Sequence, residues 1–194
     1  MKLQHPAVFD IEDIHKIVDV NNVKQLVKNI VVHGNKQDPD LYEPLTYMGD
    51  CWELFSEYFF KYFNGDHTLT YTVDYEPNME YDRGIDGRGI STIDGKSNVI
   101  QDKFKADPTA YLNNSDNISN IVADAVLNEN LQYNGKNIIV FTSCQGVHPK
   151  HAMTNVHCIG IKEIARRVDN NPVFWNTFKE VIKETIVNLS LIHI

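Results

Sequence analysis

Apolar and polar positions alternate along this chain with two different periods, and the changes of period mark its elements. Ile11 to Val20 and Asn22 to Val32 carry apolar residues at helical spacing and predict an amphipathic helical prelude. Asn35 to Pro44 is polar and proline-punctuated, which predicts a connection. In Tyr47 to Phe63 the residues Trp52, Phe55, Phe59 and Phe63 recur every three or four positions, the stripe of a helix packed on a core. Thr68 to Tyr75 alternates with period two and predicts the first strand. Ile85 to Ile93 and Ser97 to Lys105 read as extended, and Asp94-Gly95 between them is a strong hairpin signal. Beyond them, Ser115 to Asn130 predicts a helix with Ser115 or Asp116 as N-cap, and Asn137 to Ser143 a buried strand. Val156 to Ile159 predicts a further strand, and Lys162 to Val168 and Pro172 to Asn188 two helices, the last with proline in its first turn. The order is α-β-β-β-α-β with additions, an α/β fold in which a mixed sheet is flanked by helices. There is no internal repeat and no low-complexity stretch.

The hairpin gathers the chemistry. A two-residue turn at Asp94-Gly95 sets Ile93 against Lys96, Asp86 against Lys103 and Arg88 against Gln101. Facing residues share a side of the sheet and side chains alternate, so Asp86, Arg88, Gln101, Lys103 and Lys105 project one way and Asp102 the other. A carboxylate, an amide oxygen and an ammonium on one patch suit a divalent metal beside a phosphodiester. Mg²⁺ takes hard oxygen ligands, usually one or two protein carboxylates plus water and phosphate. On this reading Asp86 and Gln101 hold Mg²⁺ (or Mn²⁺), and Lys103 stabilises the phosphorane-like transition state or orients the attacking water. The plain alternative is a surface hairpin with a cross-strand Asp-Lys pair.

The segments Tyr81-Asp82-Arg83-Gly84-Ile85-Asp86-Gly87 and Asn98-Val99-Ile100-Gln101-Asp102-Lys103-Phe104 resemble the core of the PD-(D/E)xK nuclease superfamily. The nearest likeness is to Mrr-like restriction endonucleases, which read glycine-hydrophobic-aspartate, a turn, then hydrophobic-Gln-x-Lys. Gly49-Asp50-Cys51-Trp52-Glu53 resembles the family's opening helix, and Asn137 to Ser143 its next core strand, so the likeness covers about residues 45–145. The resemblance implies a restriction-endonuclease-like domain over 45–188 after a helical N-terminal extension, 1–44. It also implies that Glu53 joins Asp86, Gln101 and Lys103 as the supporting acid, with Glu57 one turn on as its substitute. Ile85 stands in place of the motif's proline, and Gln101 in place of its acidic residue, which removes one negative charge from the site.

Composition narrows the partners. The net charge of −8 argues against a broad basic coat for nucleic acid, and clustering therefore has to supply any DNA contact. Arg83, Arg88 and Lys105 beside the hairpin are the expected DNA-binding residues, with Arg166-Arg167 as a second basic spot. With no apolar run of about eighteen residues and no signal-peptide pattern, the chain is expected to be soluble and cytoplasmic. Cys51, Cys144 and Cys158 lack paired spacing, which argues against a disulfide framework. His148, His151 and His157 lie among these cysteines, yet only C-x3-H-x2-H is compact, a poor match to two close zinc-ligand pairs. Phosphate-loop, nucleophile-elbow and dinucleotide fingerprints are absent.

The last six residues, Leu189 to Ile194, match codon for codon what one frame of a widely used transposase sequencing adapter encodes, and are expected to be read-through beyond the natural Asn188. The family likeness then allows an N-terminal module of a larger helicase or restriction protein, or a homodimer. The expectation is a metal-dependent DNA endonuclease domain. The alternative is a catalytically silent nucleic-acid-binding or accessory module on the same fold.

Overall fold

The computed structural model describes residues 1–11, 13–78, 84–116, 118–127 and 137–190. The chain runs through α1 (Ala7–Asp10), α2 (Ile14–Ile17), α3 (Val23–Gly34), α4 (Pro44–Tyr62), β1 (Thr72–Pro77), β2 (Gly87–Ser91) and β3 (Ser97–Lys103). It continues through α5 (Ile118–Leu127), β4 (Ile138–Thr142), β5 (His157–Ile159), α6 (Ile161–Val168) and α7 (Pro172–Ser190). Polar side chains set several starts. The Asn22 side chain accepts from Gln25 N–H at 2.9 Å ahead of α3, and Glu43 accepts from Thr46 N–H at 2.6 Å ahead of α4, whose first residue is Pro44. Asn171 does the same for α7 through Phe174 N–H at 3.0 Å.

Two expected elements differ. The helix over Ile11 to Val20 is replaced by two short turns, because Ile11 is extended (φ −97°, ψ 95°) between α1 and α2. The strand expected from Thr68 begins at Thr72 instead. The Asp66 carboxylate accepts from Thr68 N–H (2.7 Å) and Leu69 N–H (2.9 Å), which folds those residues into a turn.

The five strands form one mixed sheet in the order β1-β2-β3-β4-β5, with the β1–β2 and β2–β3 pairs antiparallel and the β3–β4 and β4–β5 pairs parallel. One face carries α4. There Ile100, Ile139 and Phe141 meet Trp52, Phe55 and Phe59, and the aromatic layer continues through Phe174, Trp175 and Phe178 of α7. Trp52 stacks on Phe141 with ring centroids 5.3 Å apart, so the expected stripe is core packing. The other face carries α5, where Val99 and Ile138 pack on Ile121 and Ala125. Residues 1–44 share the α4 core: Leu3, Val8, Ile14 and Leu26 lie in the same buried cluster as Trp52 and Phe174. At the other end the α7 backbone continues through Leu189 and Ser190, while residues 191–194 lie outside the described residues.

The hairpin register differs from expectation by two. Ser91 N–H donates to Lys96 O (2.7 Å) and Gly95 N–H to Ser91 O (2.9 Å), closing a four-residue turn with Gly95 in the left-handed region (φ 69°). Arg88 therefore faces Val99 rather than Gln101, and Gly87 faces Ile100. Asp86 thus lies beyond the paired strand and is not opposite Lys103. A shift of two keeps the same residues on each face, so the sidedness of Gln101 and Asp102 is unchanged. A one-residue bulge in β1, with Asp74 at φ 51°, lies between the Val73↔Ile90 and Glu76↔Arg88 pairs.

Among the described residues no helix is long and apolar enough to cross a membrane. Trp52→Ala removes a fully buried ring from the centre of the α4 layer and is expected to cost about 3–5 kcal/mol, read as a lower denaturant midpoint at an unchanged slope.

Candidate functional site

The site forms where β2 stops pairing with β3. Asp86 N–H still donates to Ile100 O at 2.9 Å, but the next β3 donor toward β2, Asp102 N–H, finds no strand carbonyl. The Asp86 carboxylate takes its place, Oδ2 accepting that N–H at 2.7 Å. Two glycines make room. At Gly84 (φ 85°) a Cβ would lie 2.7 Å from the Gln101 amide nitrogen, and at Gly87 it would lie 2.4 Å from the Tyr75 ring. The Tyr75 ring is itself stacked on Phe60 of α4, with centroids 5.1 Å apart.

Helix α4 brings carboxylates to the same region. Asp50, Glu53 and Glu57 recur every three or four residues and share one helical face. Glu57 is fully buried and committed: it accepts from Gln4 N–H (2.7 Å), His5 N–H (2.9 Å) and the Lys61 ammonium (2.6 Å). The expected substitute acid is therefore a structural clamp. Glu53 is about a third exposed (29%), and its Oε2 lies 3.0 Å from His5 Nε2. Asp50 accepts a short hydrogen bond from the Tyr42 hydroxyl.

His5, Asp50 and Glu53 offer ligand atoms all within 4.8 Å of one another. The imidazole tautomer works against a metal there. Ala7 N–H points at His5 Nδ1 (3.2 Å), which makes Nδ1 the acceptor and Nε2 the N–H that donates to Glu53. A metal on Nε2 would need the proton moved to Nδ1, where it would face another N–H.

The electrostatics point to Asp86 and Asp102. Burial, then the Glu53 carboxylate, push the Asp86 pKa up to about 7 against the Asp102 N–H, Lys103 and His5, which lower it. Asp102 lies on the Ile100 side of β3, facing α4. Burial, then Asp86 and Glu53, hold its carboxyl well above the usual range; Ser56 and Lys103 oppose this. Both Asp102 oxygens are buried, and the Ser56 hydroxyl lies near them without a hydrogen bond of good geometry. Burial also raises the Tyr75 phenol, and Asp102, Glu57, Asp86 and Glu53 add to it. For His5, burial lowers the pKa, but Glu53, Asp50 and Glu57 outweigh it and the net shift is upward.

The expected residues thus meet different fates. Glu53 and Lys103 each fall within electrostatic reach of Asp86, Lys103 from the same face of β3 as Gln101. Gln101 lies on the opposite face of β3 from Asp102, its Oε1 buried and without a partner. Arg88 is half-buried within β2, Lys105 is ion-paired to Asp116 (2.5 Å), and Arg83 lies outside the described residues. In the second basic spot, Arg167 pairs with Asp66 at 3.4 Å. Sequence reasoning missed His5, which carries no motif, and set Asp102 aside by alternation. Placing Glu53 on a helix over the Ile100 face was the available signal that Asp102 shares that face. Comparison with family models, curated proteins and solved structures gives no match.

The raised Asp86 pKa carries a stability consequence. The folded state holds this proton more tightly than the unfolded chain, whose ordinary value is 3.8, so its stabilisation is complete below that pH and is lost as pH rises toward about 7. Asp102 and His5 shift the same way, and His33, whose pKa burial lowers, opposes them near neutrality. The melting temperature is expected to fall by about 5 °C between pH 5 and 7.5, and to lose most of this slope in Asp86→Asn. A flat profile in the wild type would contradict the raised pKa of Asp86.

Proposed function

We propose that the chain is a divalent-metal-dependent nuclease domain that hydrolyses DNA phosphodiesters on a restriction-endonuclease-like fold. One observation carries the reading: the Asp86 carboxylate is bonded to the Asp102 N–H where β2 and β3 part, with Glu53 and Lys103 near enough to shift its pKa. The element order α4-β1-β2-β3-α5-β4 agrees with the α-β-β-β-α-β core of the resembled family.

A hard divalent cation suits the chemistry of these carboxylates, although among the described residues only His5, Asp50 and Glu53 bring three ligand atoms within 4.8 Å of one another. The acids Glu53, Asp86 and Asp102 act on one another beside Lys103, and buried like charges either protonate or recruit a cation. Asp86 and Asp102 would supply two carboxylate ligands, and Glu53, which shifts the pKa values of both, would have to draw nearer to join them. Asp102 takes the place that the family pattern gives to Gln101. Bound there, Mg²⁺ or Mn²⁺ supplies Lewis acidity to a phosphate oxygen and makes water a better nucleophile at neutral pH. The Asp86 carboxylate is fixed through Oδ2 by the Asp102 N–H, which leaves Oδ1 as the oxygen it would offer. The Lys103 ammonium offsets charge that builds on the phosphoryl oxygens as water attacks phosphorus, the bond to the leaving sugar oxygen breaks, and that oxygen takes up a proton.

DNA contact rests on Arg88 and, if it leaves Asp116, Lys105; with a net charge of −8 the footprint is narrow and salt-sensitive. The second reading, a silent nucleic-acid-binding or accessory module, is favoured by the Gln101 amide lying across the sheet from Asp102.

Supercoiled and linear DNA incubated with Mg²⁺, Mn²⁺ or chelator tests both readings. Metal-dependent cutting is expected, with Asp86→Ala, Lys103→Ala and Asp102→Asn each losing about a hundredfold or more while circular dichroism stays native. Gln101→Ala is expected to retain activity within a few-fold. Cutting that persists in Asp86→Ala and Lys103→Ala would sink the nuclease assignment, and DNA binding without any turnover in the wild type would establish the silent module.

A further inference from the structure

We propose that the paired loops 106–113 and 145–152, beyond the carboxyl ends of β3 and β4, form a contact surface for an unpaired nucleic-acid strand, with the rings of Tyr111, His148 and His151 meeting bases and Lys150 meeting phosphate. This rests on the nucleic-acid part of the reading above and not on the metal.

The two loops are joined into one ledge. Gln145 N–H donates to Ala110 O (3.0 Å), Leu112 N–H to Gly146 O (2.9 Å) and His148 N–H to Leu112 O (2.9 Å), while Gln145 Nε2 donates to Pro108 O (3.0 Å). Leu112 is fully buried beneath them with Ile118 of α5, Val140 of β4 and Cys144. The ledge adjoins the lysines of β3. Ser143, just ahead of the second loop, accepts from Lys105 N–H at 2.6 Å and donates to Lys105 O at 2.8 Å, and its own N–H donates to Lys103 O at 3.3 Å. β3 and β4 are parallel neighbours, and ligands of open α/β sheets bind outside the carboxyl ends of such strands.

The ledge presents rings and positive charge. Tyr111 is 41% exposed, its ring meets His148 edge to face with centroids 5.4 Å apart, and His151 lies 5.8 Å from His148. Leu112 supplies the burial of the loop pair, which leaves the rings above it for contact with a ligand. His148 Nδ1 accepts Lys150 N–H at 3.2 Å, so Nε2 carries the N–H that can donate to a base or phosphate oxygen. In a chain of net charge −8, no Asp or Glu occurs from Asn137 to Lys162, and Lys150 within that stretch is exposed. The acids about the first loop are engaged: Asp107 accepts from Thr109 N–H (2.8 Å) and hydroxyl (2.7 Å), and Asp116 pairs with Lys105. Aromatic faces stack on any base whose own face is open, and a duplex hides those faces, so the ledge selects single-stranded segments.

Fluorescence anisotropy of a labelled oligothymidylate and of a duplex of equal length, both in chelator so that no cutting intervenes, tests the surface on the full chain. The single strand is expected to bind more tightly than the duplex. Tyr111→Ala is expected to weaken single-strand binding about tenfold and Tyr111→Phe to stay within about threefold of wild type, with melting temperatures unchanged. Lys150→Ala is expected to lower the salt slope of the affinity by about one. Tyr111→Ala binding as tightly as wild type, or a duplex bound at least as tightly as the single strand, would overturn the ledge and leave the nuclease reading to the cutting assay. A wild-type chain that binds neither probe would overturn the nucleic-acid reading itself, and the ledge with it.

Discussion

The hydrogen bond from Asp102 N–H to the Asp86 carboxylate stands in for a ladder bond that β2 has ceased to make, and much of the site follows from that substitution. A backbone donor at a diverging pair of strands must be satisfied, and a side chain that satisfies it is pulled into the plane of the sheet. There Asp86 is half-buried, and it lies beside a second, fully buried acid on the adjoining strand. Folding thereby brings acidic groups close enough to raise one another's pKa values. Gly84 and Gly87 are the steric counterpart of this arrangement, since each lies against a side chain that leaves no space for a methyl group.

Helix α4 joins the hydrophobic core to that charge. Its aromatic face, Trp52, Phe55 and Phe59, is pressed on Phe141 of β4 and continues into α7, so the helix has little freedom to slide. Its acidic face is therefore held at a fixed height above β3. Two carboxylates one turn apart have been given opposite work. Glu57, fully buried and bonded to two N–H groups and an ammonium, secures the N-terminal segment, while Glu53 remains partly open.

Much of this was legible in the residues. The aromatic period located α4, the Asp-Gly pair located the hairpin, and the apolar run from Asn137 located β4. Register was harder, because turn length depends on how Ser91 and Asp94 bond to nearby N–H groups, and two turns of the same parity place the same residues on each face. Alternation correctly set Asp102 apart from Gln101. It gave no warning that Asp86 would leave its strand position to meet the Asp102 backbone. His5 lies 48 positions from Glu53 in the chain, and no local pattern announces such a pairing.

The bulge in β1 bears on how copies of this chain meet. β1 is one outer strand of the sheet, and Asp74 in a left-handed conformation breaks the straight row of amides that a second molecule would need as a template. The opposite margin, β5, is only three residues long. Both rims are thus poor sites for continuing the sheet from one molecule into the next, which disfavours fibrillar stacking and leaves association to side-chain surfaces.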